Sequence, residues 1–178
     1  MDERRIKQAA IEAVRFWLSE TLGATQITAR NECRTTDGRG RADALVAFTN
    51  PADAIDTVVI EAKSRFTRGG LAARRTVERP ELHTSAALQL DRYPGNYRVL
   101  AGPDDLLRDH PADRELLRAL CQRDGIGLLT VNWYREWVWL LHPGRIDTPL
   151  LWPDCLDGYA AGPVLRARLQ RAADVTGP

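Results

Sequence analysis

The run Thr57-Val58-Val59-Ile60 constrains this chain more than any other stretch. β-Branched residues favour extended backbone, and successive side chains on a strand face opposite ways, so an unbroken apolar run must be covered on both sides. The run reads as a central strand in a sheet with helices on both faces. It then passes directly into Glu61-Ala62-Lys63. Residues two apart share a face and lie about 6.5–7 Å apart, so Val59, Glu61 and Lys63 point one way and Ile60 and Ala62 the other. Desolvating a carboxylate in such a strand is costly unless a partner or a metal compensates. A solvated ion pair at a frayed strand end would account for the two charges as structure. A strand leaving the core at the mouth of a cleft would account for them as chemistry.

The flanking segments give the order of elements. ERRIKQAAIEAVRFWLSETLG carries Ile6, Ala10, Ala13, Val14 and Trp17 at helical spacing, with Gly23 as a stop. ITARNEC alternates, RADALVAF follows the turn-rich TTDGRGR, and TVVIEAKS follows TNPADAID, predicting three strands as a meander. ELHTSAALQLDRY, lying between Pro80 and Pro94-Gly95, predicts a second helix. NYRVLAGP predicts a fourth strand, residues 104–123 a third helix, IGLLTVNW and EWVWLLH a strand pair joined through Tyr134-Arg135, and PVLRARLQRAA a last helix. The expected order is α-β-β-β-α-β-α-β-β-α, an α/β (α+β) fold with a central mixed sheet flanked by helices, in a single domain spanning 1–178.

Composition narrows the class. At 178 residues the chain can bury a core without disulfides or a structural metal. No long apolar run suits a membrane span, and MDERRIKQAAIEAVRF lacks the apolar segment of a secretory signal, so the expectation is a soluble cytoplasmic protein. Cys33, Cys121 and Cys155 are odd in number, widely spaced and without a CxxC pair, which fits reduced thiols rather than a disulfide framework or a zinc site. A net charge of +1 neither demands nor forbids a nucleic-acid partner. No P-loop, Rossmann fingerprint or GxSxG elbow is present.

In GRGRADALVAF, Asp43 follows a glycine-rich turn and precedes an apolar run, where an antiparallel neighbour could set it beside Glu61. Two close carboxylates repel unless they share a proton or bind a cation. Mg²⁺ takes oxygen ligands and commonly uses one or two protein carboxylates together with waters and phosphate oxygens. Such an ion polarises a phosphodiester and acidifies a water, and an adjacent lysine can position that water and offset negative charge. An acid/base pair acting on another substrate, such as a glycoside, is the weaker alternative, because Lys63 beside the carboxylates favours phosphate.

Helix one, the GRAD strand, the EAK strand and the following helix–strand pair resemble the PD-(D/E)XK nuclease superfamily over residues 5–101, with 102–178 as a C-terminal hairpin and helix extension. Asp43 matches the motif aspartate, preceded by Ala42 where the family name has proline, and Glu61-Ala62-Lys63 matches the (D/E)XK triplet. The resemblance implies a restriction-endonuclease-like α-β-β-β-α-β core and Mg²⁺- or Mn²⁺-dependent cleavage of DNA or sometimes RNA. It implies Asp43 and Glu61 as metal ligands, the Ala62 carbonyl as a further one, and Lys63 orienting the attacking water. AIEAVRFWLSETLG resembles the helix-one pattern of Holliday-junction-resolvase-like relatives and points to Glu12 as another metal ligand. Glu20 is the substitute: at 100° per residue it falls within the apolar face, and Glu12 at its edge beside Phe16. Gln89 and Tyr93 fit the QxxxY pattern of RecB-like branches, which borders the active site; a capping glutamine and a core tyrosine are the ordinary alternative.

KSRFTRGGLAARRTVERP is the most basic stretch, and Arg65, Arg68, Arg74 and Arg75 are expected to contact nucleic-acid phosphates unless they form a solvated loop. Trp133, Trp137, Trp139 and Trp152 are expected to fill core, since aromatics at strand spacing more often do that than stack on bases. Glu32 reads as an exposed strand charge. A two-fold dimer would suit paired cuts in a duplex. A non-catalytic module binding nucleic acid or protein on the same fold is the rival to the nuclease reading.

Overall fold

The computed structural model describes residues 1–64, 90, 93–105, 111–146 and 155–175. Within them the chain forms an α+β fold with a six-stranded mixed sheet and three helices. Helix α1 spans Glu3–Leu22, strands β1 to β4 span Thr25–Arg34, Arg41–Thr49, Ile55–Ala62 and Tyr97–Pro103, and α2 spans Pro111–Arg123. Strands β5 and β6 follow at Ile126–Val131 and Trp137–Leu141, and α3 at Gly162–Val175 after a short 3-10 turn at Cys155–Gly158. The expected helix over residues 81–93 lies almost wholly outside the described residues. The strands stand in sequence order, β1-β2-β3-β4-β5-β6. β1, β2 and β3 form the expected antiparallel meander, β3, β4 and β5 run parallel, and β6 returns antiparallel. Residues beyond 101 therefore extend the same sheet.

Local chemistry explains the first elements. The Asp2 carboxylate accepts from Arg4 N–H at 3.2 Å and caps α1. Gly23 adopts φ +61°, and Ala24 N–H donates back to Leu18 O at 3.0 Å, ending the helix as its glycine predicts. The β3 run sorts its side chains as its pattern demands. Val58, Ile60 and Ala62 join Ile6, Ala10, Val14 and Trp17 of α1 on one face, and Val59 joins Leu117 of α2 and Leu165 of α3 on the other.

The C-terminal segment returns to the β1–β2 turn. Thr36 N–H donates to Gly158 O at 2.9 Å, Ala160 N–H donates to Arg34 O at 3.1 Å, and Thr35 bridges Tyr159. Tyr159, fully buried, donates its hydroxyl to Pro94 O at 2.8 Å. No helix among the described residues is long and apolar enough to cross a membrane.

Candidate active site

The ladder between β2 and β3 ends at Ala44↔Ile60. One further step of the same register sets Asp43 opposite Glu61. Backbone pairing is replaced at that point: Ala62 N–H donates at 2.8 Å to Asp43 Oδ2, so a side-chain carboxylate takes the place of a strand carbonyl. Lys63 N–H continues the pairing on the other side, donating to Ala101 O at 2.9 Å. The two strands thus part at Asp43, and the carboxylate fills the gap.

Glu61 is 1 % exposed. Its Oε1 accepts a hydrogen bond from Lys63 Nζ, an ion pair between the two outer members of the triplet. Its Oε2 is buried and has no hydrogen-bond partner among the described residues. Burial pushes the Glu61 carboxyl up to about 7, the Lys63 hydrogen bond and charge oppose that rise, and the charges of Asp43 and Glu3 add to it. Burial alone would lower the Lys63 ammonium, but the Glu61 hydrogen bond and charge, with Asp43 and Glu3, hold it above its ordinary value.

From α1 it is the charge of Glu3, an exposed residue of the first turn, that acts on both Glu61 and Lys63, as the smallest of the contributions. Glu12, expected as a metal ligand, is not brought there. It is exposed and accepts from Gln8 Nε2 at 3.0 Å. Nine residues at 100° set it half a turn around the helix from Glu3, and Phe16 beside it is exposed as well. Glu20, the substitute, is exposed and about 25 Å along the axis from Glu3 by helical rise. The wheel held a usable signal, since Glu3 falls in line with Ala10, Val14 and Trp17, the buried stripe.

Glu32 stands opposite Asp43 on the other side of β2, between the Asn31↔Ala44 and Cys33↔Ala42 pairs. It has φ +54°, and its carboxylate pairs with Lys7 at 2.6 Å and Arg41 Nε at 3.0 Å. The Lys7 hydrogen bond, helped by the charges of Lys7 and Arg41, holds the Glu32 carboxyl below its usual range. Two cations thus engage Glu32 beside Asp43. Tyr93 is buried and donates its hydroxyl to Arg41 O at 2.9 Å, two residues before Asp43. Its ring also lies over Gly40, where a Cβ would stand 2.6 Å from Cε1. The tyrosine of the expected QxxxY pair therefore supports the start of β2. Gln89, Arg65, Arg68, Arg74, Arg75 and Trp152 lie outside the described residues.

The donor set suits a hard divalent cation. Asp43 and Glu61 supply carboxylate oxygens at the point where two strands part, and Glu61 Oε2 is a buried oxygen with no donor among the described residues. Among the described residues no three His, Cys, Asp or Glu side chains group closely enough to chelate an ion together. No family model, curated protein or solved structure matches the chain.

Proposed function

We propose that the chain is a divalent-metal-dependent nuclease acting on DNA, built on a restriction-endonuclease-like core. The observation that carries this reading is the Asp43–Glu61–Lys63 group at the parting of β2 and β3, with one Glu61 oxygen without a donor among the described residues. Asp43 and Glu61 would hold Mg²⁺ or Mn²⁺. The bound ion would polarise the phosphodiester and acidify a water. Lys63 keeps its ammonium beside the carboxylates, where it offsets the negative charge that builds on phosphate and holds the attacking water in place. Glu3 adds negative charge from the first turn of α1. The buried walls of the group keep its dielectric low, which strengthens each of these interactions.

Asp43→Asn should abolish cleavage of plasmid, linear and single-stranded DNA while leaving the circular dichroism spectrum unchanged. Wild-type protein that leaves all three substrates intact across Mg²⁺, Mn²⁺ and Co²⁺ would sink the proposal. A non-catalytic module is the second reading, favoured by the fact that Asp43 has a partner in Ala62 N–H and Glu61 one in Lys63. Calorimetry with Mn²⁺ separates the two: a module of that kind gives no heat of binding.

A further inference from the structure

The parallel strands carry the turn between β5 and β6 to the same end of the sheet as the candidate active site. Glu61 pairs with Leu100 and Leu100 with Leu128, so these three residues share one row. Trp133 lies five residues beyond Leu128 and two strands aside from Glu61, roughly 20 Å away by strand rise and spacing. At this tip Trp133 is 61 % exposed and Tyr134 86 %. The turn that presents them is held closed. Asn132 Oδ1 accepts from Tyr134 N–H at 2.9 Å and Glu136 N–H at 3.0 Å, while Asn132 Nδ2 donates to Glu136 Oε2 at 2.7 Å. Arg135 follows the aromatics at φ +66°, also exposed.

A surface turn ordinarily carries small polar residues. Two adjacent aromatics on a preformed turn give flat, rotamer-poor surface at little entropic cost. Two side chains are far too small for a protein interface, which takes about 800 Å² from each partner. They match the size of one or two bases. The β1–β2 hairpin reaching the same end of the sheet carries exposed Arg30, Arg34, Arg39 and Arg41; Arg41 pairs with Glu32 and Arg39 lies 4.0 Å from Asp37, so four cations against two acids leave residues 30–41 at net +2, and the site lies between a mildly basic hairpin and an aromatic one. Cations on one flank complement phosphates, and π-faces on the other accept any base.

We propose that the Trp133–Tyr134 tip stacks on unpaired bases of a DNA strand laid along this end of the sheet, making single-stranded or splayed-end DNA the substrate class. The inference rests on the nuclease reading for its substrate, but its test does not need cleavage. Binding is measured by anisotropy in EDTA, with full-length Asp43→Asn protein and labelled probes: an oligothymidine of about 20 nucleotides, a duplex with splayed ends and a blunt duplex. Adding Trp133→Ala and Tyr134→Ala should weaken the first two by roughly 10- to 100-fold, from one or two lost stacking contacts, and blunt duplex by less than about 3-fold. The Trp133→Phe and Tyr134→Phe pair should keep most of the affinity. Equal affinities with and without the aromatics would overturn the proposal, as would equal losses on all probes. A wild-type dimer that the alanine pair turns into monomer would overturn it too, because a second copy would then cover the tip. DNA cut by wild type with unchanged oligothymidine binding by the alanine pair removes the stacking surface and leaves the nuclease. Oligothymidine held by the tip of a chain that cuts nothing does the reverse.

Discussion

Each end of β3 buries a carboxylate, and the two are treated differently. Asp56, at the start of the strand, is 3 % exposed, and both its oxygens are engaged. Arg145 reaches Oδ2 through Nε at 3.3 Å and Oδ1 through a terminal nitrogen at 3.2 Å, and Asn50 Nδ2 donates to Oδ2 at 3.0 Å. Next to it, Asn96 Oδ1 accepts from Thr57 N–H at 2.9 Å and from the Thr57 hydroxyl at 3.1 Å. Glu61, at the far end, is as deeply buried but has one oxygen paired and one bare among the described residues. A buried charge that serves only folding is paired throughout, because each missing partner costs stability. The bare oxygen marks the end of the strand where stability has been given up.

That contrast breaks or sharpens under mutation. The largest effect is expected on activity: Glu61→Gln and Asp43→Asn should each lower DNA cleavage by about 10³-fold or more, as loss of a transition-state contact does. Asp56→Asn should leave the cleavage rate of the folded protein within about 2-fold. If Asp56→Asn proves as inactive as Glu61→Gln while still folded, the two ends do not differ in role.

Stability should respond in the opposite sense. Asp56→Ala removes the carboxylate that Arg145 and Asn50 hold, and because Arg145 is partly exposed the loss should be about 2–3 kcal/mol in urea unfolding. Glu61→Gln in EDTA at pH 8 should match or exceed wild type, and a loss as large as that of Asp56→Ala would show that the ion pair with Lys63 is structural.

The pH dependence follows from the raised Glu61 carboxyl. Its folded value of about 7 exceeds the unfolded 4.5. Between those values the folded state holds a proton that the unfolded state has released, so metal-free stability is fully present below the lower value and falls as pH rises through the higher. The gap between Glu61→Gln and wild type should widen by about 2–3 kcal/mol from pH 4.5 to 8 in EDTA, and Mn²⁺ should close it. A constant gap across that range argues against a carboxyl raised by burial.

The smallest effect belongs to Glu12→Gln: less than about 2-fold in cleavage and about 0.5 kcal/mol in stability, as for an exposed surface change. Glu3→Gln, measured in the same assay, should cost more than Glu12→Gln. The reverse order would put the helix-one acid back at Glu12.

The fold was legible wherever local pattern decides structure. The Thr57–Ile60 run marks a strand covered on both faces, Gly23 closes α1, and the turn-rich TTDGRGR between the first two strands makes them neighbours. The meeting of Asp43 with Glu61 was legible for a related reason, because an antiparallel neighbour entering its apolar run just after a glycine-rich turn could be expected to set the two together. The helix-one acid was misjudged because the family-like pattern outweighed the wheel, and sequence alone does not say which end of a helix crosses a given strand. Trp133 departs from the core expectation because the strand ends at Val131, two residues before it. The side chain of Asn132 accepts from Tyr134 and Glu136 N–H beside the backbone pair with Glu136 and turns the chain, so Trp137 and Trp139 pack on the sheet while Trp133 does not.

The seam between residues 158–160 and the β1–β2 turn bears on how this protein can be dissected. The turn it fastens leads within a few residues to Asp43, and its anchor Tyr159 lies in the last quarter of the polypeptide. A fragment cut after residue 101 keeps Glu3, Asp43 and Glu61, yet it loses the clasp that sets one of them in place. Deletion mapping would then report the tail as indispensable although it carries none of the reactive groups.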